Sequence, residues 1–480
     1  MQTARPLLHY YQFEKWMNDP NGLTYHNGYY HLFYQCNPSS KYWGNIGWGH
    51  AISENLITWC EQPHAFNASR GTMIFSGSSV SYAQGKSDTE NLHNSLLAFY
   101  TICDYDADKL SQNDVFDIKS QRQHLSISSD DGKTWQDFHG NPIVDIGSTE
   151  FRDPKVVQIG ENEWLMLIAR SREHVIDFYL STDLIKWQQV STFSECPKKD
   201  GAWECPDLIC LDKENNIWCL LLSVDSGFEN NGSGTLYILG NLHNHYFISQ
   251  PCYMRGRSFI RLDHGPDFFA PQSFYNAELT SPNLMLGWLN SWLYAKDMPA
   301  HNLPMMQSIV RELRLIKTIE NSYLLSQIPK LESAKVIAQS GPIELRESFY
   351  NNTLFENVKG TFHLKTTISG LETDSAKITF DVGGDVVFAV FVNFIKSEIN
   401  VARARGAFFS AEHETYTAEV LDIEDSFDIG ILVDYHSVEI FVNRGTTVMS
   451  FRVPFPIDGV GINVSGMSNS SVFTYLLTEY

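Results

Sequence analysis

Basic clusters, long apolar runs and closely spaced cysteines are what this 480-residue chain lacks, and each lack removes a class of protein. Its eight cysteines are Cys36, Cys60, Cys103, Cys196, Cys205, Cys210, Cys219 and Cys252, and none forms a Cys-x-x-Cys pair. That argues against a structural zinc site, and cysteine this sparse does not describe a disulfide scaffold. Lys and Arg number 35 against 56 Asp and Glu, a formal charge of −21 with no basic cluster. Nucleic acid and anionic membrane surfaces both need basic patches, so neither is an expected partner. No stretch of about 18 apolar residues is present to span a membrane. Met1-Gln2-Thr3-Ala4-Arg5 leads into no apolar signal core, and the expectation is a reduced, cytoplasmic protein.

What is present points to β-structure. Hydrophobic residues make up 43% and aromatic ones 13%, enough for a sizeable core, and the length calls for two domains. Up to about residue 320, short alternating stretches such as Gly28–Tyr34 and Glu163–Ile168 read as strands. A unit recurs in Ser53–Trp59, Ser129–Trp135 and Ser181–Trp187, each following a strand-like run and ending in Trp six residues after Ser. Repeated strand-turn-Trp units suggest the blades of a β-propeller around a central funnel. Around Gln327–Lys330 the pattern loosens. Regular strands resume at Lys377–Val382, Val386–Phe391 and Val438–Asn443, as in a β-sandwich. The expected division is a propeller over 1–325, a linker over 326–342 and a β-sandwich over 343–480. The sandwich carries no catalytic constellation, so its expected role is stability or contact between copies, as a homodimer.

Three acidic segments carry the chemistry. In Trp16-Met17-Asn18-Asp19-Pro20-Asn21-Gly22, Pro20 restricts Asp19 to extended backbone and Asn21-Gly22 reads as a tight turn, which would hold the carboxylate still. Downstream lie Phe151-Arg152-Asp153-Pro154 and Trp203-Glu204-Cys205-Pro206-Asp207. With these, the stretches His31–Gln35, Trp43–Asn45 with Trp48–Ala51, Phe75–Ser78, Asp263–Ala270, Gly287-Trp288 and Arg311–Leu313 resemble glycoside hydrolase family 32, the invertases, fructanases and sucrose-6-phosphate hydrolases, over nearly the whole chain.

The resemblance implies a five-bladed propeller, a β-sandwich packed on it and a sugar substrate, with no metal or cofactor. It implies Asp19 as nucleophile, Glu204 as acid/base and Asp153 as stabiliser of the transition state. Asn18, Gln35, Ser76, Arg152 and Asp263 match positions that hydrogen-bond fructose, and Trp43, Phe75 and Trp288 would wall the pocket. Retention at a glycosidic bond needs two carboxyl groups about 5–5.5 Å apart, one to attack and one to protonate the leaving oxygen. The residues themselves suggest the same division. Arg152 beside Asp153 should keep that carboxyl ionised, and apolar Trp203, Cys205 and Pro206 should raise Glu204. His50 reads as a hydrogen-bonding core residue. Phe269 and Val310 stand where Tyr and Pro are usual and bear on leaving-group preference. The expected activity is a β-fructofuranosidase acting on sucrose or short fructo-oligosaccharides. A sucrose-6-phosphate hydrolase, a fructosyltransferase and a non-catalytic sugar-binding propeller are the alternatives.

Overall fold

Stretches this short, broken by Gly, Asn and Asp turns, cannot sustain helices, and the computed structural model is built almost wholly from strands. It describes residues 5–82, 94–109, 116–276, 283–298, 303–318, 321–339, 352–369, 374–403, 414–421, 426–453, 459–465 and 471–477. Among these, five antiparallel sheets follow one another along the chain, beginning with Trp16–His26, Thr72–Tyr82, Phe151–Gly160, Trp203–Asp212 and Phe269–Ser273. Each leading strand touches the next, and the fifth touches the first, so the ring closes into a propeller. The short strand Tyr11–Gln12 pairs with Met305–Met306 and ties the N-terminal segment to the last sheet's side of the ring.

The recurring Ser…Trp unit is the turn between the third and fourth strands of the first three sheets. Ser53 Oγ accepts from the Leu56 amide and Asn55 Oδ1 from those of Ile57 and Thr58; Ser181 and Asp183 repeat this with Leu184, Ile185 and Lys186. Leu56 and Leu184 are left-handed, a cost borne by these side-chain bonds. In the second sheet the anchoring hydroxyl is Ser128, one residue earlier than the Ser129 of the sequence pattern, because it reaches Gly132 instead.

Beyond the ring, two six-stranded sheets pack face to face. Alternate residues such as Ile378 and Phe380, Phe388, Val390 and Val392, and Ile429, Ile431 and Val433 form their core. Tyr323–Pro329 is still a propeller strand, and Lys335–Gln339 already pairs with Ser471–Leu477 of the sandwich. The chain therefore crosses between domains at Lys330–Ala334, and the 326–342 linker of the sequence reading is largely strand, its last residues lying outside the described ones.

The junction is ionic and buried. Arg311 is fully buried over the Phe268 ring and donates to Asp263 Oδ2 at 3.0 Å and Glu439 Oε2 at 2.5 Å. Gly265 meets the Ser450 backbone so closely that a Cβ would lie 2.1 Å from its oxygen, so only glycine fits. His9 lies between Asp434 and Glu439, 2.8 Å from each. Burial opposes its charge, but bonds to both carboxylates win and raise it from 6.5 to about 9. Its stabilisation is therefore full below about 6.5, declines above that, and is gone once pH passes about 9, a term on the order of 3 kcal/mol. Comparing melting of the wild type and His9→Gln should show a gap at pH 6 that closes by about pH 10. A gap independent of pH would mean the imidazole is held neutral.

Candidate active site

All five leading strands slip register at one level of the ring, between Met17 and Pro20, Phe75 and Gly77, Arg152 and Lys155, Glu204 and Asp207, and Phe269 and Gln272. Four slips contain an X-Pro pair: Asp19-Pro20, Asp153-Pro154, Cys205-Pro206 and Ala270-Pro271. Proline has no N–H to give to a ladder, so it fits where the ladder is interrupted, and a bulge re-aims the side chains beside it. Asp153, Cys205 and Ala270 are left-handed there, strain on the order of 1–3 kcal/mol each. The Asp-Pro-Asn-Gly run is thus no tight turn. It lies inside the strand Trp16–His26, and of its residues only Gly22 has positive φ, packed where a Cβ would lie 2.7 Å from Phe33.

The bulges bring Asn18, Asp19, Ser76, Arg152, Asp153 and Glu204 together. Ser76 Oγ donates to Asp19 Oδ2 at 2.9 Å, while Asp19 Oδ1 is buried and bonded to none of the described residues. Asn18 precedes Asp19 in the strand, and its Oδ1 accepts from the Trp16 indole at 2.7 Å. Asp153 Oδ2 accepts from the Cys205 amide at 2.9 Å. The Cys205 sulfur lies 3.6 Å from both Asp19 Oδ2 and Asp153 Oδ2, so a single thiol bridges two carboxylates. Arg152 Nη2 donates to Glu204 Oε1 at 2.9 Å, and its Nη1 to Glu150 at 2.6 Å and Gln121 at 3.3 Å.

Burial dominates the protonation of this cluster. It raises Asp19 to about 6, reinforced by the Asp153 charge and opposed by the bonds from Ser76, Asn18 and Cys205. Glu204 is raised to about 8, burial and the charges of Asp153, Asp225 and Asp19 outweighing Arg152. Asp153 too is raised, by burial, against the opposing Arg152 charge and Cys205 bonds. The expectation that neighbouring Arg152 lowers the Asp153 carboxyl is therefore corrected, since the shift is upward. The guanidinium is committed to Glu204 and Glu150, and desolvation of Asp153 prevails.

Two further expectations change. Asp263 stands away from this cluster, in the domain junction, accepting from Arg311, from the Ser450 amide at 2.8 Å and from the Ser450 hydroxyl at 2.7 Å. Trp288 is fully buried against Trp16 and Trp292, at 6.2 and 4.9 Å between rings, and supports the site from behind without facing it. Gln35 donates to Ile74 O at 3.2 Å, beside Phe75. Trp43 and Phe75 are half-buried, with Phe116 edge-on to Trp43 at 5.2 Å and Lys296 over its face. His50 bonds His31 at 3.0 Å, as a core histidine would. Cys205, Gln121, Glu150 and Asp225 were not foreseen. The recurrence of X-Pro was the signal that could have shown Cys205 standing at the same level as Asp19 and Asp153. Among the described residues no group of three or more His, Cys, Asp or Glu is arranged to hold a metal.

Known proteins carry the same plan. The model of the glycosyl hydrolases family 32 N-terminal domain matches residues 9–329, and that of the family 32 C-terminal domain matches residues 332–472. The extracellular exo-inulinase of Aspergillus awamori is 31% identical over 95% of this chain and 90% of its own. Its crystal structure superposes with a TM-score of 0.85 at 27% identity, covering 100% of this chain and 99% of that one. The β-fructofuranosidase of Schwanniomyces occidentalis complexed with fructosyl-erythritol gives 0.83 at 25% identity, covering 99% and 98%. The invertase of Schizosaccharomyces pombe is 28% identical over 92% of this chain and 79% of its own. The propeller and the β-sandwich are thus matched along nearly the whole length, and the chain belongs to glycoside hydrolase family 32 as a hydrolase of the β-fructofuranosidase type.

Proposed function

We propose that the enzyme removes a terminal, non-reducing β-D-fructofuranosyl unit from sucrose and short fructo-oligosaccharides by a retaining double displacement. Asp19 attacks the anomeric carbon through Oδ1 while Glu204 gives its proton to the leaving oxygen. Glu204 then takes a proton from the water that releases fructose. Asp153 bonds sugar hydroxyls and gains strength as charge develops in the transition state. The observation that carries this reading is the asymmetry of the two reacting carboxyls. Asp19 has one oxygen pinned by Ser76 and the other unengaged, while Glu204 holds a proton near neutrality.

A neutral leaving group is favoured over a phosphorylated one. Four cations around Glu204 and Asp225 are already matched: Arg152 by Glu150 and Glu204, Arg172 by Asp225, Lys198 by Asp200 and Arg261 by Glu229. A panel of sucrose, sucrose 6-phosphate, kestose, inulin and levan tests this, with sucrose and kestose expected to lead. A kcat/KM for sucrose 6-phosphate about tenfold above that for sucrose would overturn it. Product analysis at high sucrose should show free fructose in excess of transfer products.

The pH profile follows from the same cluster. Asp19 must be ionised to attack and Glu204 protonated to donate, so kcat/KM should form a bell with limbs near 6 and 8. The limbs belong to the coupled cluster. A profile flat from about pH 5 to about pH 9 would remove one or both carboxyls from these roles.

A cytoplasmic location and a homodimer through the sandwich complete the proposal. All eight cysteines are free, Cys60 and Cys252 exposed, which suits a reducing compartment, though the Aspergillus relative is named extracellular. The strand Lys335–Gln339 is exposed along its length with Val336 and Ile337 bare, a surface suited to a second copy. Light scattering on the eluting protein decides the mass.

A further inference from the structure

Two buried arginines of the sandwich reach into the propeller. Arg452 directs its guanidinium to three carbonyls: His436 O at 3.0 Å within the sandwich, Leu289 O at 3.4 Å and Pro304 O at 2.8 Å. Leu289, just after the strand Leu284–Trp288, and Pro304, just before Met305–Met306, are two feet beside the described stretch 289–298. Arg403 donates to Tyr294 in that segment at 3.2 Å and to Asp267 Oδ2 at 2.7 Å, and the Tyr294 hydroxyl donates to the other Asp267 oxygen. One guanidinium thus ties both feet and the other holds the middle.

The tied segment presents Trp292, stacked on Trp16 at 6.1 Å and 24°. The Trp16 indole donates to Asn18, which directly precedes Asp19 in the strand Trp16–His26. Gln307, just beyond the second foot, donates to the Asn18 carbonyl at 2.7 Å. Removing ions from water is costly, and buried ion pairs are poor stabilisers compared with apolar packing. What a planar fork supplies that an apolar side chain cannot is fixed direction. We propose that Arg452 and Arg403 are positioning residues of the reaction: the sandwich holds the Leu289–Pro304 feet and Tyr294 so that Trp292, Trp16 and Asn18 fix the orientation of Asp19.

The inference rests on Asp19 as the attacking carboxylate. Asp153, Glu204 and Cys205 are the titratable groups around Asp19, and none is altered by the variants that test it. Arg452→Met, Arg403→Met and the milder Tyr294→Phe are compared in the full chain with Arg311→Met, which loosens the same junction without touching the segment. Folding is checked by circular dichroism. The expected result for Arg452→Met is a fall of about tenfold or more in sucrose kcat/KM, because small misplacements are costly in near-attack geometry. Its acid limb should move to higher pH, because a displaced Asp19 loses part of the bond from Ser76 that favours its ionised form. Combined with Trp292→Phe the loss should be less than the product of the two, and Arg311→Met should leave the limb in place. Folded Arg452→Met and Tyr294→Phe with wild-type kcat/KM and limb, equal shifts in Arg311→Met, or independent effects with Trp292→Phe would each overturn the proposal. Should Arg452→Met not fold, Tyr294→Phe decides alone. A wild type that cleaves no fructoside would instead refute the reading of the site. Acrylamide quenching of Trp292, taken as the difference from Trp292→Phe, then judges the clamp: increased in Tyr294→Phe if it holds, unchanged if it does not.

Discussion

Replacing Asp19 by alanine should abolish turnover of sucrose, with a loss on the order of a thousandfold to a millionfold in kcat and no loss of fold. The kinetic half follows from covalent catalysis: the side chain that would bond the anomeric carbon is gone, and its neighbours are committed elsewhere. Asp153 is held by the Cys205 amide and Glu204 by Arg152. The stability half needs its sign worked out. The folded Asp19 value, about 6, lies above the ordinary 3.8, so ionising this group costs more in the fold than in the unfolded chain. That penalty grows as pH rises from about 4 to about 6 and then stays, at about 3 kcal/mol with the opposing bond from Ser76 already included. Alanine removes it, so at neutral pH the variant should melt at or above the wild-type temperature. Such a gain with loss of activity marks a group held for chemistry at the expense of stability. Calorimetry and fructose release on one preparation check both halves. Activity within about tenfold of wild type in the folded variant would sink the nucleophile assignment.

The convergence of Asp19, Asp153 and Glu204 is legible from the family resemblance of their three segments, while the prolines that mark the broken ladders around them read in the sequence only as a turn at Asp19. The sandwich strands were readable because their inward positions alternate with period two. Asp263 was misread for a reason no local pattern reveals. Its partners Arg311 and Ser450 are 48 and 187 positions away, and only folding shows that they stand between two domains. The upward shift of Asp153 was missed similarly. Arg152 is its neighbour along the chain, yet the guanidinium crosses to Glu204 in the next sheet, because adjacent side chains on a strand point apart. Trp203 and Pro206 made burial of Glu204 a fair inference, but Asp225, whose charge helps raise it, arrives from the following strand's end. Motif resemblance thus located the site, while the electrostatics within it depended on contacts between sheets.

Glu204→Ala should separate the acid from the nucleophile. A general acid matters most when the leaving group is a poor one, as a glucose alkoxide is, and contributes about a hundredfold to ten-thousandfold there. The variant should lose that factor on sucrose but form the fructosyl-enzyme readily from an activated fructoside whose leaving group departs unprotonated. Deglycosylation then becomes slow, because no base activates water. Azide needs no base, so it should restore turnover and give a fructosyl azide of the same anomeric configuration as the substrate. The limb near 8 should disappear on the activated substrate, since the group that titrates there is gone. Arg152 keeps Glu150 at 2.6 Å, so the guanidinium is not left unpaired and the fold should hold. Asp19→Ala offers the contrast: with no covalent intermediate to intercept, azide should yield no retained product from it. Equal responses of the two variants to leaving group and azide would refute this division of labour, even though the family would still stand.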